Sequence, residues 1–328
     1  MKPKSYKIEV TAPGKIILWG EYAVLEGAPA VSMAIDRFSR VALNATHGGW
    51  EFLSSGFSTP GLHVFERDFC TVPTSEFAEL CLKKLGFTDY HTPFSLHSDT
   101  SEFYFNQSKF GLGSSAALVT ATYLALSKML DREAFLEDVL AIHQDWQQGY
   151  GSGIDVATSW HGGAISFQKK SGLTITQHNL PEALQWRAVW TGQSSNTRDH
   201  LTQFESIKNA ERKKTLGELC LASEKLTNKG FSIDAITHYT DCLKKITDCL
   251  KKFDEAGKLK IFTTPHQRLD RIASELGLVY KPCGAGGGDI GIAFGFEPEA
   301  LNRFCQRVTT LKFINLEMEM ALNGVKAT

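Results

Sequence analysis

The stretch Lys109-Phe110-Gly111-Leu112-Gly113-Ser114-Ser115-Ala116-Ala117 decides how this chain is read. Two glycines and two serines open directly into a run, Leu118 to Leu130, that neither Pro nor Gly interrupts. That pattern predicts a loop feeding the N-terminus of a buried helix. Gly111 and Gly113 let the backbone turn tightly and come close to a ligand. The unpaired N–H groups of the first helical turn, at the positive end of the helix dipole, then favour a phosphate. Ser114 and Ser115 are placed to cap the helix, and one hydroxyl is placed to reach a metal ion held by phosphates. An ordinary Ser-capped core helix would share this local pattern, so distant parts of the chain must decide.

Two such parts stand near the ends. Ala12-Pro13-Gly14-Lys15-Ile16-Ile17-Leu18-Trp19-Gly20-Glu21-Tyr22 lies early, and Lys281-Pro282-Cys283-Gly284-Ala285-Gly286-Gly287-Gly288-Asp289 lies late. The central stretch is not a Walker A loop, because no Gly-Lys-Ser/Thr follows its glycines. In this order the three stretches resemble the three motifs of the GHMP kinases, and together they span most of the chain. The resemblance implies an α+β, two-domain GHMP kinase fold with the active site in a cleft. An N-terminal βαβ-type nucleotide-binding domain would occupy residues 1–170, and a C-terminal ferredoxin-like domain residues 171–328.

On the residues alone, Lys15 sits on a turn inside an otherwise apolar segment, where a lysine either snorkels to solvent or meets an anion. Asp155, in Gly151-Ser152-Gly153-Ile154-Asp155, is either a stabilising first-turn acid or a functional carboxylate. The resemblance favours the second reading of each, with Lys15 on the acceptor side and Asp155 as base. It further implies ATP and Mg2+ as cofactors. The nucleotide would rest on Lys109, Gly111, Leu112, Gly113, Ser114, Ser115 and Ala116, with Ser115 also a metal ligand. The third-motif loop is Gly284, Ala285, Gly286 and Gly287, with Asp289 capping or orienting it. The family's magnesium-binding Glu falls at Gln144, a poor ligand for a hard cation, with Asp145 beside it. Magnesium is therefore expected on phosphates, Ser115 and water.

Tyr22, and Trp190-Thr191-Gly192-Gln193-Ser194-Ser195-Asn196-Thr197-Arg198, resemble the bacterial phosphomevalonate-kinase branch of the family. That implies ATP-dependent phosphorylation of 5-phosphomevalonate, with substrate contacts from Tyr22, Ser152, Gly153, Gly192, Ser194, Thr197 and Arg198. Arg198 suits the task because a guanidinium grips a phosphate bidentately. The alternatives are a mevalonate kinase or another small-alcohol kinase of this fold, a decarboxylating relative, and a non-catalytic ligand sensor. Lys15 argues against the decarboxylating relative, and retention of Lys15, Ser115 and Asp155 against the ligand sensor.

The whole chain sets broader limits. Its 328 residues suit two domains, and its net charge of −1 offers no global field for nucleic acid or an anionic membrane. Seven scattered cysteines without a C-x-x-C pair point to reduced thiols and a cytoplasmic location, without a disulfide framework or zinc site. The partners expected are a small-molecule substrate and ATP, for a monomer or homodimer.

Local patterns predict strands at Tyr6–Thr11, broken by Pro13-Gly14, then at 16–19, 30–35, 39–43 and 94–105. Asn44 to Gly61 reads as loops and hairpins. Helices are expected at 75–85, at 132–148 with Asp131 as N-cap, and at 154–160. Strands at 164–167, 173–176 and 186–190 follow. Beyond them come helices at 206–228, 233–253, 265–276 and 298–310, with strands at 290–294 and 313–318.

Overall fold

The computed structural model describes residues 7–46, 50–56, 61–65, 73–87, 93–195, 200, 202–204, 210–228 and 236–328. The first sheet is built on two long antiparallel strands, β1 (Lys7–Trp19) and β2 (Ala30–Ala45). Pro13-Gly14 does not end β1 as expected. The ladder slips there, pairing Pro13 with Phe38 and Gly14 with Ile35. A bulge accommodates a residue that has no N–H to donate, so the strand runs through. The same slip joins the two strands expected at 30–35 and 39–43 into one.

β3 (Trp50–Ser55), β4 (Gly61–Phe65) and β5 (Phe94–Asp99) extend the sheet in the order β1-β2-β5-β3-β4. β3 runs parallel to β5, and helix α1 (Pro73–Lys84) lies between them in sequence. The strand expected at 94–105 ends at Asp99, and β6 (Tyr104–Phe105) pairs separately with β7 (Ser108–Lys109). The hairpin β8 (Ala164–Lys169) and β9 (Leu173–His178) attaches to β2. On the outer side of β1 lies β14 (Lys326–Ala327), from the far end of the sequence. The boundary expected at 170/171 falls at the tip of the β8–β9 hairpin, and the chain passes to the other sheet between His178 and Gln185.

Helix α2 (Ser114–Met129) packs across β1 and β2. Ala116, Ala117, Ala121 and Ala125 are all buried, and their small side chains let the helix settle close to the sheet. Gly113, at φ +80°, is its N-cap and no side chain caps it, so Ser114 and Ser115 are its first helical residues and not its caps. Its other end corrects a second expectation. Asp131 has φ +52°, and Arg132 N–H donates to Ser127 O at 2.8 Å. This left-handed turn closes α2. Asp131 therefore does not cap α3, which spans Leu136–Trp146 with Phe135 at its N-cap. Helix α4 (Ile154–His161) follows.

The second sheet is antiparallel, in the order β11-β12-β10-β13, from β10 (Gln185–Trp190), β11 (Val279–Pro282), β12 (Ile290–Gly295) and β13 (Ile314–Leu316). Between β10 and β11 come α5 (Ala210–Asn228), α6 (Ile236–Gly257) and α7 (Thr264–Glu275). Helix α8 (Pro298–Thr310) links β12 to β13. In sequence order its strands lie 2-3-1-4 across the sheet, the ferredoxin-like arrangement. Leu269, Tyr280, Leu301 and Phe304 fill the space between this sheet and its helices. No helix among the described residues is long and apolar enough to cross a membrane.

Candidate active site

The three glycine-bearing stretches meet because β1, the central loop and β11–β12 abut. Lys15 N–H donates to Leu112 O at 2.9 Å, laying the loop on β1. A Cβ on Gly14 would stand 2.8 Å from Leu112 O, so this approach requires glycine. Gly111, at φ +85°, faces the third stretch, and a Cβ there would lie 2.5 Å from the Asp289 carboxyl. Asp289 is the joint. Its Oδ1 accepts from Ser195 N–H at 2.9 Å, its Oδ2 accepts from Ser195 Oγ at 3.1 Å, and Ser194 Oγ donates to Lys109 O at 3.0 Å. Burial raises the Asp289 pKa, and hydrogen bonds from Ser195 and the charges of Lys109 and Lys15 partly restore it.

Within the cleft the Lys15 ammonium lies 3.3 Å from Asp155 Oδ2. Lys15 is buried while the Asp155 side chain keeps a third of its surface, so water reaches the pair from the carboxylate side. Gly113 leaves room for the Lys15 stem, whose Cγ and Cε would each lie 3.0 Å from a Cβ there. Lys109 stands close by. Burial depresses its pKa, Lys15 adds to the depression, and Asp289 and Asp155 oppose it. Ser152 Oγ accepts from Ile154 N–H at 3.3 Å and fixes the start of α4.

Lys15, Tyr22, Gly111, Ser152, Gly153, Asp155, Gly284 and Ala285 all line the cleft, which is open to solvent. Tyr22, however, donates its hydroxyl to Ala285 O at 2.6 Å and packs on Phe204 and Phe253. Its hydroxyl therefore closes the first motif on the third. Gly286 turns toward Ile261 and Gly287 toward His200. Gly192 and Ser194 are exposed and absent from the lining. Leu112 and Ala116 are buried, so any contact they make with a ligand is through backbone. Thr197 and Arg198 lie outside the described residues.

Three residues of this region have no role assigned from the sequence, two of them inside the quoted stretches and one outside them. Lys281 and Glu21 form a buried ion pair that joins β11 to the end of β1. Lys281 Nζ also donates to Pro282 O at 2.9 Å and Ile17 O at 3.3 Å. Burial raises the Glu21 pKa, and Lys281 is the main opposing influence. A lysine inside the apolar run Leu278 to Pro282 is the visible signal, but its partner stands 260 residues away. The third is His143, buried beside Ser115, with Nε2 at 3.3 Å from Ser115 Oγ. Its ring stacks on Trp146, and burial pushes its pKa down to about 4. Counting eleven residues back from Asp155 reaches Gln144, but α3 turns Gln144 and Asp145 to solvent and His143 inward. The period from Leu136 through Val139 to His143 carries that information.

As for a metal ion, the described residues hold no cluster of three His, Cys, Asp or Glu suited to one. Ser115 Oγ and His143 Nε2 are two donors side by side at the head of α2. They fit an ion that brings phosphate oxygens and water with it, and not a cage made by protein alone.

The comparisons with known proteins agree with this architecture. Residues 75–163 match the GHMP kinases N terminal domain. The phosphomevalonate kinase of Streptomyces sp. (strain CL190) is 26% identical over 369 aligned positions, covering 96% of this chain and 97% of that protein. The mevalonate kinase of Pyrococcus abyssi is 32% identical over 207 positions, 58% of each. Among solved structures, Streptococcus pneumoniae phosphomevalonate kinase in complex with phosphomevalonate and AMPPNP superposes with a TM-score of 0.72. It is 22% identical and covers 95% of this chain and 99% of that one.

Proposed function

We propose that this chain, which has the GHMP kinase fold and carries that family's N-terminal domain, transfers the γ-phosphoryl group of ATP to 5-phosphomevalonate. The observation that carries phosphoryl transfer is the Lys15–Asp155 pair, 3.3 Å apart on a cleft walled by Gly111 and the third glycine loop. The acceptor is supported by the Streptomyces phosphomevalonate kinase, whose likeness runs the length of both chains.

Phosphoryl transfer asks for alignment and charge neutralisation more than for covalent chemistry. The N–H groups at the head of α2 and the loop before it receive the nucleotide phosphates. Lys15 is placed against the transferring group, where its charge offsets the negative charge that develops. Lys109 adds a second cation beside the loop. A divalent ion, held by phosphate oxygens with Ser115 and His143 near, would neutralise the nucleotide further. The acceptor atom is a phosphate oxygen, and with a second phosphate pKa of about 6 it arrives at pH 7 largely unprotonated. Asp155 therefore orients Lys15 and takes the residual proton, and it would matter more for an alcohol acceptor such as mevalonate.

Mevalonate is the second reading, favoured by the 32% identity to the Pyrococcus enzyme. An ATP-coupled assay on mevalonate and 5-phosphomevalonate side by side, with products identified by phosphorus NMR, tests the proposal. The expected outcome is a diphosphate product from 5-phosphomevalonate and negligible turnover of mevalonate. Equal or preferential use of mevalonate would overturn the assignment of the acceptor.

A further inference from the structure

We propose that His143 Nε2 is a ligand of the divalent cation that accompanies the nucleotide, giving that ion a mixed nitrogen and oxygen shell. The inference rests on the nucleotide reading above and goes beyond it.

Three observations carry it. His143 lines the cleft together with Lys15, Gly111 and Asp155, so its ring stands where the phosphates would lie. Its Nε2 is 3.3 Å from Ser115 Oγ, in the first turn of α2. That separation is long for a hydroxyl hydrogen bond, whose donor and acceptor prefer about 2.7–2.8 Å. It suits two ligands of one ion, since donors about 2.1 Å from a shared cation and at right angles stand roughly 3 Å apart. Finally, the ring is held in place by its stacking on Trp146, whose own Nε1 donates to Glu76 Oε2 at 3.0 Å. The carboxylates of the cleft are engaged elsewhere, Asp155 with Lys15, Glu21 with Lys281 and Asp289 with Ser195, and Asp145 on α3 is exposed.

The consequence is a changed metal preference. A hydroxyl and phosphate shell suits Mg2+, whereas an imidazole in the shell shifts affinity toward Mn2+ and Co2+. Exchange of His143 for a carboxylate should return the preference to Mg2+.

Pulsed electron paramagnetic resonance on the enzyme with Mn2+ and AMPPNP reads the ligand directly. The expected spectrum shows nitrogen modulation from a coordinated imidazole, which changes when the protein carries nitrogen-15 histidine and is lost in His143→Gln. The isotope arm needs no variant, so it stands even if His143→Gln folds poorly. In calorimetry, the affinity of the manganese nucleotide relative to the magnesium one should fall in His143→Glu. Bound manganese nucleotide without nitrogen modulation would overturn the proposal and leave the kinase reading intact, with His143 merely orienting Ser115. Failure of the protein to bind the manganese nucleotide at all would overturn both.

Discussion

Lys281–Glu21 and Lys15–Asp155 are both lysine–carboxylate pairs beside one cleft, yet water reaches only the second. Lys281 spends its donors on Glu21, Ile17 O and Pro282 O, so every one of its hydrogens has a protein partner. Lys15 pairs with one carboxylate, Asp155, whose other side is open to solvent, and both line the cleft. The sealed pair lies where two distant stretches must be held together. The open pair keeps unsatisfied charge facing a cavity, which is what a site needs to recognise an anion. Burial and hydrogen-bond saturation, and not the residue types, separate the joint from the candidate chemistry.

The comparison breaks most visibly at the sealed pair. Lys281→Met leaves Glu21 buried without its partner, and breaking such a pair costs about 3–5 kcal/mol. Urea unfolding should show that loss. The double variant Lys281→Met/Glu21→Gln should recover a large part of it, because no lone charge remains inside. A Lys281→Met protein of unchanged stability would show the joint to be dispensable.

At the open pair the effect falls on turnover. Lys15→Met should lower kcat by roughly 10²–10³, the scale of removing one transition-state donor. Its unfolding midpoint should move much less than that of Lys281→Met. With 5-phosphomevalonate, Asp155→Asn should cost less than Lys15→Met. An alcohol acceptor would reverse the order, since a positioned base is worth about 10²–10⁴. Steady-state kinetics on both variants therefore tests the acceptor a second time.

Acid sharpens the contrast further. Burial holds His143 and His266 near a pKa of about 4, against an ordinary 6.5. The unfolded chain then takes up protons first as pH falls, so stability is full above 6.5 and declines toward 4. Each histidine contributes up to about 3 kcal/mol to that decline. Glu21 and Asp289, whose carboxyls burial raises, act in the opposite direction and reduce the net loss. His266 Nε2 meets Gly288 O at 2.9 Å and its Nδ1 meets the Tyr280 hydroxyl at 2.8 Å. A carbonyl only accepts, so the neutral ring donates from Nε2 and accepts at Nδ1. Unfolding followed from neutral to mildly acid pH should show a shallower pH dependence in His266→Gln than in the wild type.

The smallest expected effect belongs to the open pair's contribution to folding. Asp155 keeps a third of its side chain in solvent, so Asp155→Asn should change stability by no more than about 1 kcal/mol. A loss as large as that of Lys281→Met would erase the distinction drawn between the two pairs.

Much of this arrangement is legible in the sequence. The buried α2 follows from its uninterrupted run, and α8 spans Pro298–Thr310 as its pattern predicts. What stays hidden depends on partners far along the chain or on a competing local turn. Asp131 looks like a helix cap, but a left-handed turn closing α2 claims it first. Pro13 looks like a strand end, but a bulge against Phe38 absorbs it. Ser194 looks like a free donor, but Lys109 O accepts its hydroxyl. His143 differs in kind, since its inward turn is legible from helical spacing and only a residue count points to its neighbour.

The position of β14 has a temporal consequence. Residues 326–327 cover the outer edge of β1. Gly163 N–H donates to Ala321 O and Val325 N–H to Ser159 O, holding the returning chain against the end of α4. During synthesis β1 emerges with the first of the described residues and its partner on that edge with the last of them. For the whole interval the nascent chain displays an unpaired strand edge, the kind that recruits other strands. Lys15 sits on that strand, and the loop that faces it from Asp289 is also made late. A ribosome stalled before Lys281 would therefore carry a chain able to form α2, yet without the wall that completes its cleft.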